Sequence, residues 1–209
     1  MSRKQFAMSI TTLFFDVGGV LLTNGWDHES RERAAKHFDY DYDTSEARHQ
    51  EVAEPFECGQ LNLDDYLKKV VFFQDRSFSQ QEFVRFMEQQ SQPYEASLEV
   101  LRQLAAQNNY QLATVNNEST YVNLYRIRTF HLTDYFSAFF SSCFLGVTKP
   151  ACEIFQKALY ITQRRGEECL FVDDREENAA AAQQCGIQGV HLPQPSDLVD
   201  VLRAKGVSF

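Results

Sequence analysis

The chain has 209 residues, of which 44% are hydrophobic and 13% aromatic. This length suits one α/β domain with a small insertion but is short for two independent domains of ordinary size. A formal net charge of -9 at pH 7 argues against nucleic acid or an anionic membrane surface as a partner, because the chain would repel either polyanion.

Five cysteines are scattered along the chain without a C-x-x-C spacing. This distribution is typical of reduced thiols rather than of a disulfide framework or a zinc site. No segment of the sequence has the length and apolar character of a membrane span. We therefore expect a cytoplasmic protein that binds neither nucleic acid nor membrane. Nothing in the pattern indicates an oligomeric state.

The first predicted element is a buried strand within residues 10–22, ITTLFFDVGGVLL. A short apolar run rich in Phe that ends at the pair Gly18-Gly19 is typical of a strand followed by a tight turn. Asp16 then lies at the carboxyl end of the strand, where open α/β sheets bind their ligands. An acid there is a candidate nucleophile or metal ligand. The stretch alone fits equally well with an Asp that only caps the turn.

Four amphipathic helices without a convincing strand between them are predicted to follow, over residues 29–38, 44–56, 63–73 and 80–90. Asn62 and Ser79 have the character of N-caps. A helical block of this size, inserted directly after the first strand, is most simply a cap over the ligand crevice. We therefore assign residues 1–24 and 92–209 to a Rossmann-like core domain and residues 25–91 to a helical cap.

The remainder of the chain alternates between predicted helices and strands. The strands are predicted over residues 110–115, near the end of 135–145, and over 169–172 and 187–191. The helices are predicted over residues 93–104, 119–129, 151–159, 177–185 and 196–205. Such alternation implies an α/β fold with a doubly wound parallel sheet and right-handed crossovers.

Polar residues occur at four strand ends or adjoining loops of this predicted sheet. They are Asp16, Asn116, Asn117, Lys149, Asp173 and Asp174. Each has a structural alternative, such as a solvated loop lysine or an acid pair that caps a helix. Together, three carboxylates can hold a hard cation such as Mg²⁺, and a lysine with side-chain amides can position an anionic group.

At these positions the chain resembles the haloacid dehalogenase superfamily, and the resemblance extends over nearly its whole length. Asp16 in FFDVGGVLL resembles the nucleophile of the first motif, and Asn116 after LATV resembles the amide of the second. Lys149 in GVTKPACEIF matches the third motif. Asp173 and Asp174 in LFVDDREENAAAA match the acidic fourth motif.

The resemblance implies a Mg²⁺-dependent phosphatase that acts on a small phosphorylated metabolite. Asp16 would form an aspartyl phosphate, and Lys149 would stabilise the phosphoryl oxygens. The implied metal ligands are Asp16, the backbone carbonyl of Gly18, Asp173 and Asp174. The implied phosphate-binding residues are Asn116, Asn117 and Gly19. The acid pair favours phosphoryl transfer over dehalogenation, because the dehalogenases of the superfamily need no metal and carry small polar residues there.

Two positions depart from the phosphatase pattern. Gly18 stands where the pattern places a second Asp that protonates the leaving group, which predicts a substrate with a good leaving group, such as a sugar 1-phosphate or an acyl phosphate. Val115 stands where a hydroxyl usually contacts phosphate, and strand alternation predicts that Thr114 points to the opposite face. The alternative is therefore a weak or inactive relative that binds a phosphorylated ligand or a partner protein. A 2-haloacid dehalogenase is a further alternative.

Outside the four motifs the sequence predicts ordinary structural roles. Trp26 is expected to pack beneath the cap, and Asp27 is expected at a solvated helix start. Arg126 and Arg128 are expected on a solvated face of the helix over residues 119–129. Substrate specificity is expected to be set by the cap, where no residue indicates a particular substrate.

Overall fold

A computed structural model describes residues 9–209; residues 1–8, which were predicted to begin the core, lie outside the described residues. The strands are Thr12–Phe15 (β1), Gln111–Asn116 (β2), Ala138–Ser141 (β3), Cys169–Asp173 (β4) and Gln188–His191 (β5). The helices are His28–Phe38 (α1), Tyr42–Glu57 (α2), Leu63–Val70 (α3), Gln80–Gln89 (α4), Glu95–Gln107 (α5), Thr120–Thr129 (α6), Ser142–Leu145 (α7), Cys152–Thr162 (α8), Glu176–Gln184 (α9) and Leu198–Ala204 (α10).

The five strands form one parallel sheet in the order β3-β2-β1-β4-β5. β1 is central, and it pairs with β2 on one side and β4 on the other. The carboxyl ends of these three strands therefore meet at one edge of the sheet. There the backbone N–H of Asp16 donates to the carbonyl of Val172 at 2.9 Å. The predicted α/β, Rossmann-like fold is confirmed.

Both faces of the sheet are buried, which explains the uninterrupted apolar run in β1. Leu13 and Phe15 pack on the face that is covered by α5 and α10. Phe14 packs on the opposite face, against α8 and α9. Successive side chains of a strand point to opposite faces, so the consecutive apolar residues Leu13, Phe14 and Phe15 pack against both helical layers, and Thr12 is also fully buried.

Helices α1–α4 span residues 28–89, between β1 and α5 in the chain, and they share an apolar cluster of their own. We use the name insert for residues 25–91, the segment predicted to form a cap. Tyr66 and Phe83 are fully buried there, and Val122 of α6 joins the cluster from the core side. The predicted N-caps are present: Asn62 accepts a hydrogen bond from the backbone of α3, and Ser79 forms a capping box at the start of α4. No helix within residues 9–209 is long and apolar enough to cross a bilayer.

Most observed element boundaries differ from the predicted ones by one to three residues, and two regions differ in the kind of structure that they contain. The helix predicted over residues 63–73 ends at Val70, because the apolar residues that follow pack as irregular chain in the cluster of the insert. The strand predicted near the end of 135–145 is Ala138–Ser141, and the one-turn helix α7 follows it. Neither boundary carries a turn or cap signal that periodicity could detect.

The expectation of five reduced thiols is wrong for two of them. Cys152 at the start of α8 and Cys185 at the C-cap of α9 form a disulfide, whereas Cys58, Cys143 and Cys169 are free. The bonded pair is separated by 33 residues. Only the packing of α8 beside α9 brings the two together, and the spacing of cysteines in a sequence does not reveal such a pairing.

Candidate active site

Asp16 is the first residue after the central strand, and only 9% of its surface is exposed. Its Oδ1 accepts a hydrogen bond from the backbone N–H of Val17 at 2.7 Å, and its Oδ2 lies 2.9 Å from Nζ of Lys149. Burial raises the pKa of the Asp16 carboxyl to about 7. The Lys149 ammonium opposes this shift, whereas the carboxylates of Asp173 and Asp174 add to it. Asp16 therefore lies in a site with an excess of negative charge.

Lys149 connects two strand ends through its buried ammonium. Nζ lies 2.9 Å from Oδ2 of Asp16 and 2.6 Å from Oδ2 of Asp173, and the residue is 4% exposed. Burial acts to lower the pKa of Lys149, but the carboxylates of Asp16 and Asp173 hold it above its ordinary value. The side chain is therefore a permanent cation, and the structural alternative of a solvated loop lysine does not apply.

Asp173 is fully buried at the end of β4, and four hydrogen bonds or ion pairs occupy its carboxylate. Oδ1 accepts from the backbone N–H of Arg175 at 2.8 Å and from Nδ2 of Asn178 at 3.0 Å. Oδ2 pairs with Lys149 and accepts from Asn178 at 3.2 Å. Asp174 is only partly buried; burial, followed by the neighbouring Asp173 carboxylate, raises its pKa. The carboxylate of Asp174 is therefore less buried than that of Asp173 and has fewer partners within the protein.

The three carboxylates of Asp16, Asp173 and Asp174 present oxygens that lie within 4.8 Å of one another. A single lysine offsets them, which leaves net negative charge in a largely buried place. Oxygen donors at this spacing are the ligands that Mg²⁺ prefers, and burial, together with the neighbouring carboxylates, raises the pKa of both Asp16 and Asp174. The donor set thus fits the predicted metal. Gly18 lines the same cavity, and the role of its carbonyl stays a prediction.

The two asparagines that were predicted to bind phosphate make hydrogen bonds within the protein. Asn116 is 2% exposed; its Nδ2 donates to Oδ1 of Asn123 at 3.2 Å, and its Oδ1 accepts from Oγ of Ser141 at 2.9 Å. Asn117 pairs with the backbone of Lys149 through both ends of its amide. Asn117 lines the cavity of Asp16, and Asn116 is not among the lining residues.

The turn after Asp16 and the end of β2 have equally specific arrangements. The backbone N–H of Gly19, at φ +71°, donates to the carbonyl of Leu22 at 2.8 Å. A Cβ on Gly19 would overlap the carboxylate of Asp174. Val115 packs in the core, and Thr114 is fully buried with no partner for its hydroxyl among residues 9–209. Neither Val115 nor Thr114 lines the cavity, so no hydroxyl of β2 reaches the site.

A cavity of about 140 Å³ adjoins Asp16 at the boundary between the core and the insert. Its lining is mostly polar and consists of Asp16, Gly18, Asn24, Gly25, Trp26, Asp27, Glu57, Asn117, Glu118, Arg126, Lys149, Asp174, Arg175 and Asn178. Among its charged residues, Glu57, Glu118 and Arg126 were not predicted to belong to a site.

The prediction of a solvated Arg126 is wrong, although Arg128 is exposed as expected. Arg126 is 3% exposed, and it lies four residues after Val122, which packs in the cluster of the insert. Residues four apart share one helix face. The apolar Val122 was therefore a signal that Arg126 faces inward, and an isolated arginine on a buried face requires a partner. That partner is Glu118, whose Oε2 lies 3.2 Å from Nη1.

The other new or reassigned lining residues come from the insert and the loop after β2. Burial raises the pKa of both Glu57 and Glu118. Asp27 is at a helix start as predicted, where it is the N-cap of α1, and it also lines the cavity. Trp26 packs under the insert as predicted, and its indole N–H donates to Oη of Tyr66 at 2.9 Å. No sequence motif marks either glutamate, because helix packing alone brings them to the cavity.

Comparison with known sequences gives a family and a partial relative. Residues 10–186 match the model of haloacid dehalogenase-like hydrolases. A sesquiterpene phosphatase of Aspergillus oryzae is 35% identical over 71 residues, which cover 34% of this chain and 36% of that protein. The match thus spans about a third of the length of this curated relative.

Solved structures share the fold at lower identity. A HAD family enzyme of Bacteroides thetaiotaomicron superposes with a TM-score of 0.76 at 21% identity, over 88% of this chain and 93% of that one. The same enzyme is known as a complex with magnesium and inorganic phosphate. A structure described as a predicted HAD-like family hydrolase of Porphyromonas gingivalis gives a TM-score of 0.70 at 21% identity, over 93% and 97% of the two chains. At this identity the likeness establishes the fold alone.

Proposed function

Because the chain belongs to the haloacid dehalogenase-like hydrolase family, we propose that it is a Mg²⁺-dependent phosphatase with Asp16 as its nucleophile. The observation that carries the proposal is the position of Lys149, whose ammonium lies within 2.9 Å of Asp16 and 2.6 Å of Asp173. This contact joins the proposed nucleophile and a cation, which both line the cavity, to Asp173 of the acid pair. The substrate is a small phosphorylated metabolite, as the polar lining and the size of the cavity suggest.

Asp16 attacks phosphorus through one carboxylate oxygen. The new bond joins that oxygen to phosphorus, the bond from phosphorus to the leaving oxygen breaks, and water then releases phosphate from the aspartyl phosphate. Lys149 opposes the effect of burial on Asp16 and so favours its ionised form, and it donates to the phosphoryl oxygens as their charge shifts. Asn117 fixes the backbone of Lys149, and Asn178 fixes Asp173.

Asp16, Asp174 and the carbonyl of Gly18 would hold the Mg²⁺ ion, with Asp173 beside them. A bound Mg²⁺ ion neutralises phosphoryl charge and orients the phosphate. The insert serves as a cap that excludes water from the cavity, since it supplies Trp26, Asp27 and Glu57 to the lining.

Two relatives support phosphoryl transfer over dehalogenation. One structural neighbour binds magnesium and inorganic phosphate, and the partial sequence relative is a phosphatase. In this chain the acid pair Asp173-Asp174 lies beside Asp16 and adds to its negative surroundings. A dehalogenase has no use for such a pair, because an uncompensated carboxylate cluster only raises the cost of ionising its nucleophile.

The substrate has a good leaving group, such as a sugar 1-phosphate or an acyl phosphate. Gly18 carries no acid, and no hydroxyl of β2 reaches the cavity. The second candidate is a relative that binds a phosphorylated ligand without turnover, and the same two absences favour it. The two candidates predict different results in one assay.

The experiment measures phosphate release with Mg²⁺ from a panel of acyl phosphates, sugar 1-phosphates and alkyl phosphates. We expect release that requires Mg²⁺, fails for Asp16→Asn, and persists in Asp200→Asn, which changes an exposed acid on α10. Acid-quenched protein analysed by mass spectrometry should carry phosphate on the peptide that contains Asp16. No Asp16-dependent release from any member of the panel, together with retained binding of phosphate, would establish the binder instead.

A further inference from the structure

Arg126 is the one buried cation of the cavity other than Lys149 within the described chain, residues 9–209. It projects from α6, which belongs to the core. Lys149 is paired with both Asp16 and Asp173, so its charge is already shared. The function of Arg126 follows from what holds its guanidinium in place and from what that guanidinium faces.

Both segments that connect the insert to the core hold the guanidinium. Nη2 donates to the carbonyl of Thr23 at 2.7 Å, and Nε donates to Oγ of Ser91 at 3.0 Å. Nη1 pairs with Oε2 of Glu118 at 3.2 Å. Gly25 allows this close approach, because a Cβ there would overlap the guanidinium. The charge is therefore fixed in position before any substrate binds.

The guanidinium also lies close to Gly18, beside the side chain of Asn24. A Cβ built on Gly18 would lie 3.6 Å from Nη1 of Arg126 and 2.6 Å from Oδ1 of Asn24. A guanidinium has five N–H donors, and the contacts to Thr23, Ser91 and Glu118 use three of them. An N–H of Nη1 is thus left to donate into the cavity at the place where this chain has no acid.

The leaving group of the proposed reaction lies on the same side of the cavity. In phosphoryl transfer the attacking and leaving oxygens are roughly in line across phosphorus. Asp16 attacks from the strand ends, so the leaving oxygen points toward the insert. Trp26 and Glu57 line the cavity there, and Arg126 contacts both connections to the insert.

Building on the function proposed above, we propose that Arg126 donates an N–H of Nη1 to the leaving oxygen and stabilises it as an anion. As the bond between Asp16 and phosphorus forms, the bond from phosphorus to the leaving oxygen breaks, and its electron pair stays on that oxygen. Arginine keeps its proton in proteins, so Arg126 supplies charge and a hydrogen bond rather than a proton. The substrates are therefore phosphates of acidic hydroxyl groups, with acyl phosphates the best fit.

The test is the dependence of kcat/KM on the acidity of the leaving group, measured with Mg²⁺ on a series of substituted phenyl phosphates. In Arg126→Ala we expect a loss of about 100- to 1,000-fold for the least acidic phenol, the typical effect of removing one such donor. The loss should be below about 10-fold for the most acidic phenol, whose anion needs little stabilisation. The dependence on acidity is therefore steeper in the variant than in the wild type.

Two further variants separate this role from a purely structural one. Arg126→Lys keeps a positive charge on a side chain of different length. We expect its dependence of kcat/KM on leaving-group acidity to lie between those of the wild type and Arg126→Ala. If Arg126→Ala does not fold, Arg126→Lys tests the proposal in its place. Ser91→Ala removes one contact of the connection and keeps the guanidinium. We expect Ser91→Ala to have the slope of the wild type, whatever its overall rate.

Equal losses across the whole series in both Arg126 variants would overturn the proposal and leave Arg126 a structural residue. A wild-type rate that does not depend on leaving-group acidity would also overturn it, because the leaving group would then depart protonated, with Glu57 as one candidate acid in the lining. The absence of any Asp16-dependent release from the wild type is a different result, and it would remove the proposed phosphatase function and this role together.

Discussion

The side-chain amide of Asn117 makes two hydrogen bonds to the backbone of Lys149. Nδ2 donates to the carbonyl of Lys149 at 2.9 Å, and Oδ1 accepts from its N–H at 2.7 Å. Asn117 follows β2, and Lys149 lies in the loop before α8, 32 residues later in the chain. The pairing holds a loop lysine where its ammonium meets Asp16, so the position of the cation depends on a neutral amide.

We expect Asn117→Ala to lower kcat/KM by about 10- to 100-fold, the usual effect of losing a group that orients a charged site residue. The free energy of unfolding should fall by about 1 to 3 kcal/mol, because two partly buried backbone groups of Lys149 lose their partners. Phosphate-release kinetics and urea unfolding measure the two effects. Asn109→Ala, at an exposed asparagine, is the control and should change neither. Full activity in Asn117→Ala would show that the loop holds Lys149 without the amide.

Gly19 keeps the turn after the nucleophile clear of Asp174. At φ +71° its backbone is left-handed, and a Cβ there would overlap the carboxylate of Asp174. Gly146 has a similar φ of +68° with nothing within 4 Å of a Cβ. Gly19→Ala and Gly146→Ala should therefore both lose about 1 to 2 kcal/mol of stability from the left-handed backbone alone. Only Gly19→Ala should also displace a predicted metal ligand.

Calorimetric titration with Mg²⁺ distinguishes the two glycine variants. We expect the affinity for Mg²⁺ to fall at least about 10-fold in Gly19→Ala, since ligand geometry sets Mg²⁺ affinity, and to stay at the wild-type value in Gly146→Ala. Equal affinities in both variants would show that Asp174 moves aside without loss, and they would weaken its assignment as a ligand.

Sequence patterns were sufficient for the features that repeat along the chain. Alternating strands and helices predicted the parallel sheet, and polar residues after apolar runs predicted that Asp16, Lys149 and Asp173 would meet, because the carboxyl ends of parallel strands share one edge. These three side chains do lie together. Their chemical roles are proposals that the experiments above test.

Sequence patterns were insufficient where distant segments pack against each other. Arg126 was expected in solvent, and its place in the cavity depends on contacts with Thr23 and Ser91, on the two connections to the insert. The pairing of Asn117 with Lys149 is equally invisible, because an asparagine after a strand has the same signature whether it binds a ligand or a loop. Side-chain partners over such separations are set by tertiary packing, which no local period encodes.

Of the acid pair, we expect Asp174 to contribute most to the stabilisation of the protein by Mg²⁺, because the carboxylate of Asp173 already contacts Lys149 and Asn178. Mg²⁺ at about 100 times its dissociation constant should stabilise the wild type by about 2.7 kcal/mol. In Asp174→Asn most of this gain should disappear. Thermal unfolding with and without Mg²⁺ measures the difference, and Asp200→Asn serves as the surface control.

Without metal, Asp174→Asn should be no less stable than the wild type, because it removes one of three crowded carboxylates. The pKa of Asp174 is raised by its own burial and by the carboxylate of Asp173, so its charge is unfavourable in the fold. An undiminished Mg²⁺ response in Asp174→Asn would place the ion elsewhere. A response lost equally in Asp200→Asn would indicate a nonspecific effect of ionic strength rather than a site.

His49 makes the stability of the helical insert dependent on pH. The indole N–H of Trp26 can only donate, so the hydroxyl of Tyr66 accepts from it at 2.9 Å. Tyr66 is fully buried, and within residues 9–209 its hydroxyl has one other partner, Nδ1 of His49 at 2.9 Å, to which we therefore assign its proton. His49 is therefore neutral in the folded protein. Burial, with a contribution from Arg31, lowers the pKa of His49 to about 4, below the value of about 6.5 expected in the unfolded chain.

Because the folded pKa is the lower one, the unfolded chain takes up a proton first as the pH falls. The contribution of His49 is fully present above pH 6.5 and is lost as the pH falls toward 4, by about 2 kcal/mol between pH 7 and pH 4.5. In His49→Gln the amide oxygen can still accept from Tyr66 but does not titrate. Between pH 7 and pH 4.5 the free energy of unfolding should therefore fall by about 2 kcal/mol less in His49→Gln than in the wild type. Urea unfolding at several pH values provides the measurement, and His37→Gln, at an exposed position, should follow the wild type. Parallel curves for His49→Gln and the wild type would show that His49 takes up a proton as readily in the folded protein as in the unfolded chain, and they would contradict its assignment as a neutral acceptor.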